Sequence, residues 1–216
     1  MTATLIVNNL AGLLFVTSLL VMGSSRPTAS AVFYALQSLV LVLIFTTLAA
    51  TLGAGELYLW AASAFVTKVV LVPVIMYRAL GKLQDPAAAK PLIGPTGLCL
   101  AAAVIAVLSY LAVSTVKLAV VAELKPALAV SLGHFFLGLL CIVSQRNILK
   151  QIFGYCLMEN GAHLTLALMA NRAPELVEIG IATDAIFAVV IMTLVARQIY
   201  RTLQTLDVKQ LTALKG

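Results

Sequence analysis

The stretch Arg146–Leu164, RNILKQIFGYCLMENGAHL, belongs to an apolar helical pattern long enough to cross a bilayer, 148–170, which carries Glu159, Asn160 and His163 near its middle. Three- and four-residue spacing places Tyr155, Cys156, Glu159 and His163 on one face of such a helix. A carboxyl group at that depth costs roughly 2.5–3.5 kcal/mol on insertion scales, so it needs a protein interior or water around it, and a partner. Few other ionisable residues fall inside apolar stretches: Lys68, His134 and Asp184. Carboxylates, imidazoles and a desolvated lysine are the groups that proton relays use, because burial moves their proton affinities toward working pH. Glu159, Asp184, Lys68, His163 and His134 are therefore the candidate proton path. Gln37, Cys156 and Asn160 are supporting polar residues beside it, since neutral polar side chains also join helices within a membrane.

The elements that must position these groups are membrane spans. The chain has 216 residues, 62% hydrophobic and 10% charged, with a mean hydropathy of +1.08. Soluble domains carry about 25% charged residues, so the expected fold is an all-α polytopic membrane protein. Spans of about 20 residues can be drawn at 2–22, 30–51, 57–77, 92–114, 126–144, 148–170 and 175–197, seven in all. The first is read as retained, because no basic residue precedes its apolar run and Asn8 and Asn9 stand where a basic segment would be. Counting 1.5 Å per residue puts Lys68, Glu159 and Asp184 near mid-membrane, with His163 and His134 nearer the outer face.

Ten basic residues (Arg26, Arg78, Lys82, Lys90, Arg146, Lys150, Arg197, Arg201, Lys209, Lys215) fall on one side, and Lys117, Lys125 and Arg172 on the other. The positive-inside rule then predicts an external N-terminus and a cytoplasmic C-terminus. The expected organisation is an N-terminal three-helix unit over 1–80, a cytoplasmic linker over 81–91, a connecting span over 92–114, a second three-helix unit over 115–197, and a tail over 198–216. An odd number of spans between the triplets makes them parallel, a faint pseudo-repeat. Pro73 is expected to kink the third span just after Lys68 or to free carbonyls for it. Trp60, Tyr58, Tyr77 and Tyr200 are expected as interfacial anchors. The tail is expected to lie on a partner surface.

Soluble catalysis finds no support. There is no phosphate-binding glycine loop, no nucleophile elbow and no histidine pair with zinc spacing. Cys99, Cys141 and Cys156 lack metal spacing and are expected to be buried thiols. No catalytic or metal site is assigned, and nucleic acid is not an expected partner.

The segments NNLAGLLFVTSLLV, LWAASAFVTKVVLVP, RNILKQIFGYCLMENGAHL, RAPELVEIGIATDAIFAVV and TLDVKQLTALKG closely resemble the hydrogenase-4 component E family. These are membrane subunits of the energy-converting group-4 nickel-iron hydrogenases. The last three spans are also similar to the complex I K subunit and the C subunit of Mrp antiporters. That family has one carboxylate in each of its second and third helices. Asp184 falls where the third-helix glutamate is expected. Cys156 falls where the second-helix glutamate is expected, and Glu159 lies one turn further in.

The resemblance implies a non-catalytic subunit of the bacterial inner membrane within a hydrogenase-4 or formate hydrogenlyase complex. It would contribute mid-membrane carboxylates to proton translocation coupled to redox chemistry. Implied partners are antiporter-like and quinone-channel-like membrane subunits, peripheral hydrogenase subunits and lipid. No cofactor is expected on this chain, the nickel-iron and iron–sulfur centres belonging to partner subunits. The alternatives are a structural anchor that assembles the complex without carrying protons, and a stand-alone transporter. The second would need matched helix breaks in both halves, and Pro73 has no partner in the seventh span.

Overall fold

The computed structural model describes residues 2–24, 26–83, 91–115, 119–171 and 175–211. Helices α1 (Thr2–Gly23) and α2 (Pro27–Leu52) form the first antiparallel pair. The next element is continuous but not uniform: α3 (Glu56–Ala64), a π-helical turn over Phe65–Leu71, and α4 (Val72–Lys82). Then follow α5 (Pro95–Ser114), a short 3-10 turn over Ala119–Leu124, α6 (Lys125–Ser144), α7 (Ile148–Met169), α8 (Glu175–Leu203) and α9 (Val208–Leu211).

The architecture is all-α and polytopic, as the composition requires. Six stretches among the described residues are long and apolar enough to cross a membrane: Ala3–Gly23, Thr28–Leu52, Glu56–Ala79, Pro95–Ser114, Ala122–Ser144 and Ile179–Leu203. The predicted 148–170 span matches α7, which has 22 residues but carries Lys150, Glu159, Asn160 and His163. It tolerates them because it is the inner helix, packed against α2, α6 and α8.

Glycine makes that central position possible. A Cβ on Gly138 would stand 2.3 Å from the Met158 amide nitrogen, and one on Gly161 would stand 2.5 Å from that of Phe135. Gly154 faces the backbone of Ile142 and Gly138 in the same way. The two backbones therefore touch along most of the α6–α7 seam, the close approach that small residues allow between membrane helices.

Apolar packing divides into two clusters. One contains Val7, Leu14, Phe45, Trp60, Ala127 and Leu164. The other contains Val21, Tyr34, Met76, Cys141, Phe153 and Val189. Along each of α1, α2, α6 and α7, and along the π-containing element, the switch from one cluster to the other occurs at a polar residue. Those residues are Ser18, Gln37, His134, Asn160 and Lys68, every one of them buried. A polar layer thus crosses the bundle between two apolar cores.

The ends of the elements follow local rules. Pro27 opens α2 at a position where its missing N–H is not needed. Gly53, at φ +61°, closes α2 in the left-handed conformation. The Asn147 side chain accepts from the Leu149 amide at 2.9 Å and caps α7.

Several expectations are corrected. Trp60 is not an interfacial anchor: it is fully buried, edge-on to Phe45 and beside His163. Cys99 is exposed, unlike Cys141 and Cys156. The last long helix continues to Leu203, so the predicted tail boundary at 198 falls inside it. Gln204, at φ 54°, then turns the chain. Residues 206–208 pair with the α6–α7 connection, through Ile148 N to Leu206 O at 3.2 Å and Val208 N to Arg146 O at 3.0 Å. That part of the tail therefore lies on its own chain. Residues 84–90 of the linker, Lys117, Arg172 and 212–216 of the tail lie outside the described residues.

Candidate functional site: a buried polar layer around Lys68

Lys68 sits in the π-helical turn, 1% exposed. The turn has a sequence cause. Pro73 cannot donate to the carbonyl one α-turn back, and the wider register passes the bond from Val72 N to Thr67 O. At Pro73, where a kink or freed carbonyls were expected, the helix carries a local π-helical insertion, a feature often found at functional sites. The Lys68 ammonium donates to Glu159 Oε1 at 2.5 Å and to Asn160 Oδ1 at 2.9 Å. Glu159 is 12% exposed, so one partner of the ion pair reaches the surface of this chain and the other does not.

From Asn160 the hydrogen bonds continue away from the charge pair. Asn160 Nδ2 donates to Gln37 Oε1 at 2.9 Å. Gln37 Nε2 lies 3.2 Å from His134 Nε2, and His134 Nδ1 lies 2.9 Å from Ser18 Oγ. Ser18 Oγ in turn donates to Leu14 O at 2.7 Å. The donors and acceptors of each group fix the sense of the chain. An amide nitrogen on its ε side makes His134 Nε2 an acceptor, so the ring is neutral with its proton on Nδ1, directed at Ser18. Every bond from Lys68 to Leu14 then points the same way, an arrangement in which neighbouring bonds polarise one another.

The other predicted residues fall around this layer. Cys156 is buried beside the Tyr34 hydroxyl. His163 is 2% exposed and packed against the rings of Phe45 and Trp60, with centroid separations of 4.8 and 5.2 Å. His134 belongs to the same hydrogen-bonded layer as Lys68, near the middle of α6 rather than toward an end. Asp184 stands apart: it is exposed on α8 and interacts with Tyr155 of α7. Tyr155, half-buried, is hydrogen-bonded to Asp184 and also feels the charge of Glu159.

Ser18 and Tyr155 were not among the predicted site residues. Tyr155 shares the Glu159 face in the sequence pattern, a signal that was available. Ser18 gives no such signal, because a serine in an apolar helix is equally consistent with simple helix–helix contact.

A second polar cluster lies at the basic end of the bundle. Arg146 Nε donates to Asp207 Oδ1 at 3.0 Å, and Arg146 Nη2 pairs with Asp207 Oδ2. The guanidinium beside it holds the Asp207 carboxyl below its ordinary value of 3.8, helped by the Lys209 amide; the same contact raises Arg146. Among the described residues no group of three or more His, Cys, Asp or Glu side chains is arranged to hold a metal.

Comparison with known proteins agrees with this architecture. Residues 126–216 match the family described as NADH-ubiquinone/plastoquinone oxidoreductase chain 4L. The chain is 62% identical over 216 residues, all of both chains, to hydrogenase-4 component E of Escherichia coli strain K12. The same identity and coverage hold for hydrogenase-4 component E of Escherichia coli O157:H7 and of Shigella flexneri. No solved structure matches it significantly. With identity of this level over its full length, and a 4L-type segment formed by its last spans, the chain belongs to the hydrogenase-4 component E family.

Proposed function

We propose that this protein is a non-catalytic inner-membrane subunit of a hydrogenase-4 or formate hydrogenlyase complex. In this reading it supplies part of a mid-membrane proton path coupled to redox chemistry in partner subunits, with its N-terminus outside and its C-terminus in the cytoplasm. The observation that carries the reading is the Lys68–Glu159 ion pair, placed in a polar layer between two apolar cores. A buried pair is weak support for stability alone, and an intramembrane charge is by default a functional candidate.

The residues divide by chemistry. Lys68, Glu159 and Asp184 can each gain or lose a proton, and Tyr155, one turn before Glu159 on the same helix face, is hydrogen-bonded to Asp184. Asn160 and Gln37 are amides, which orient neighbours but do not exchange protons readily. The arm through Asn160, Gln37 and His134 therefore fixes the Lys68 ammonium, and transfer runs through Glu159 toward Asp184. The exposed α8 face that carries Asp184 hands the path to a neighbouring membrane subunit, antiporter-like or quinone-channel-like. Nickel-iron and iron–sulfur centres reside in peripheral partners, and this chain binds no cofactor.

The test compares Glu159→Gln and Lys68→Gln in the intact complex, checked for assembly on a native gel. Hydrogen turnover and pH-gradient formation are then followed together in inside-out vesicles. The proposal expects assembled complexes that turn over without building the native gradient. Loss of assembly would instead assign the pair to a structural anchor.

A further inference from the structure

At the end of the bundle where α1 and α6 finish and α5 and α7 begin, a cavity of about 130 Å³ opens between the helix ends. Its polar walls are Ser24, Ser144, Gln145 and Lys150, closed by Pro95 and Leu98. At roughly 30 Å³ per water in the liquid, the volume suits a few waters or one tetrahedral anion.

Three features of the lining ask for negative charge. Lys150 is 4% exposed, yet its described hydrogen bond goes to a neutral carbonyl, that of Ser24. The described ion pairs are Lys68–Glu159 and Arg146–Asp207, and neither uses it. An ammonium has three donors, so two remain without a partner among the described residues. Ser144 is 2% exposed, and its hydroxyl has no hydrogen-bond partner among the described atoms, although its carbonyl accepts from Leu92 N at 2.8 Å. Third, α5 starts at Gly94 and Pro95 with no side-chain cap, and Pro95 lines the cavity, so the positive end of a 20-residue helix dipole borders it. Two carbonyls of the lining residues are already engaged, Met22 by Gln145 Nε2 at 3.1 Å and Ser24 by Lys150.

We infer that this cavity binds a phosphate-type oxyanion, held by Lys150, the Ser144 hydroxyl and the uncapped start of α5. The anion is either a phospholipid head group or free phosphate. The site is remote from the Lys68 layer and does not depend on the proton-path reading. Occupied, it would tie α1, α5, α6 and α7 together at one end of the bundle.

The test uses the full-length chain in non-ionic detergent, stripped of lipid. One arm titrates inorganic phosphate against chloride at constant ionic strength and reads thermal unfolding. The other adds phosphatidylglycerol and reads retained lipid by native mass spectrometry. Lys150→Gln should weaken binding at least tenfold and Ser144→Ala severalfold, while Arg201→Gln, an exposed basic residue at the same end, should leave it unchanged. Ser144→Ala keeps the test decisive if Lys150→Gln folds poorly, since the hydroxyl it removes makes no described bond within the protein. A response to phosphate alone assigns a free oxyanion, and retained lipid without that response assigns a head group. Binding in neither arm, or equal loss in Arg201→Gln, overturns the inference.

Discussion

The Lys68 ammonium meets the Glu159 carboxylate at 2.5 Å across 91 residues of sequence, while Asn160, the next residue along, takes a second bond from the same nitrogen at 2.9 Å. One turn of α7 thus presents a charged and a neutral acceptor to one buried cation. The charged acceptor leads toward the surface and the neutral one into the bundle.

Removing one partner should cost more than removing both. Glu159→Leu leaves Lys68 buried without its counter-charge and is expected to destabilise the protein by about 3–5 kcal/mol. The double variant Lys68→Met/Glu159→Leu should recover most of that loss. Thermal or denaturant unfolding of the purified chain provides the comparison, and additive losses would count against a buried pair.

Asn160→Leu keeps the volume but leaves Gln37 and Lys68 each one partner short. Each orphaned group should cost about 1–3 kcal/mol. The His134 tautomer should also lose its constraint, which nitrogen NMR of the labelled ring reads as exchange between Nδ1–H and Nε2–H forms. The native ring should show the Nδ1–H form alone.

Glycine-to-alanine substitution should have opposite signs inside the α6–α7 seam and away from it. Gly161→Ala drives a Cβ to 2.5 Å from backbone and should cost about 1–3 kcal/mol, or more where the helices cannot part. Gly12→Ala in α1 meets nothing within 4 Å and should stabilise by about 0.5–1 kcal/mol through helix propensity. Unfolding of the two variants side by side measures both.

The tail contact should be acid-sensitive in one direction only. Asp207 has its proton affinity lowered in the folded state by Arg146, so its contribution is present above the ordinary carboxylate value of 3.8. It is lost as the pH falls through the lower folded value. Hydrogen exchange at Val208 N and Ile148 N should be protected at neutral pH and released in acid below that range. Asp207→Asn should release both amides at neutral pH and abolish the acid transition.

Much of this was legible in the sequence, for physical reasons. Apolar runs bounded by Pro27, Pro95 and Pro126 place the ends of α2, α5 and α6 within a few residues, because proline and bilayer thickness are local constraints. Glu159 and Lys68 were legible as a cost in need of a partner, and each proves to be the other's. Asp184 was legible as an intramembrane carboxylate but not as an exposed one, since all faces of α8 read as apolar and only packing separates inside from outside. Trp60 was misread for the same reason. Position near a helix end suggested an anchor, whereas Phe45 and His163, distant in sequence, decide its burial. The direction of the chain from Lys68 to Ser18 depends on side-chain pairing across five elements, which no local pattern encodes.

The central claim is that Glu159 changes protonation as the complex turns over. Infrared difference spectroscopy of the intact complex in membranes, triggered by reduction with hydrogen, reads carboxyl and carboxylate bands directly. The account predicts a carboxyl signal in the native complex that disappears in assembled Glu159→Gln and shifts in Lys68→Gln. An identical carboxyl spectrum in native and Glu159→Gln complexes, with the proton gradient intact in both, would contradict it.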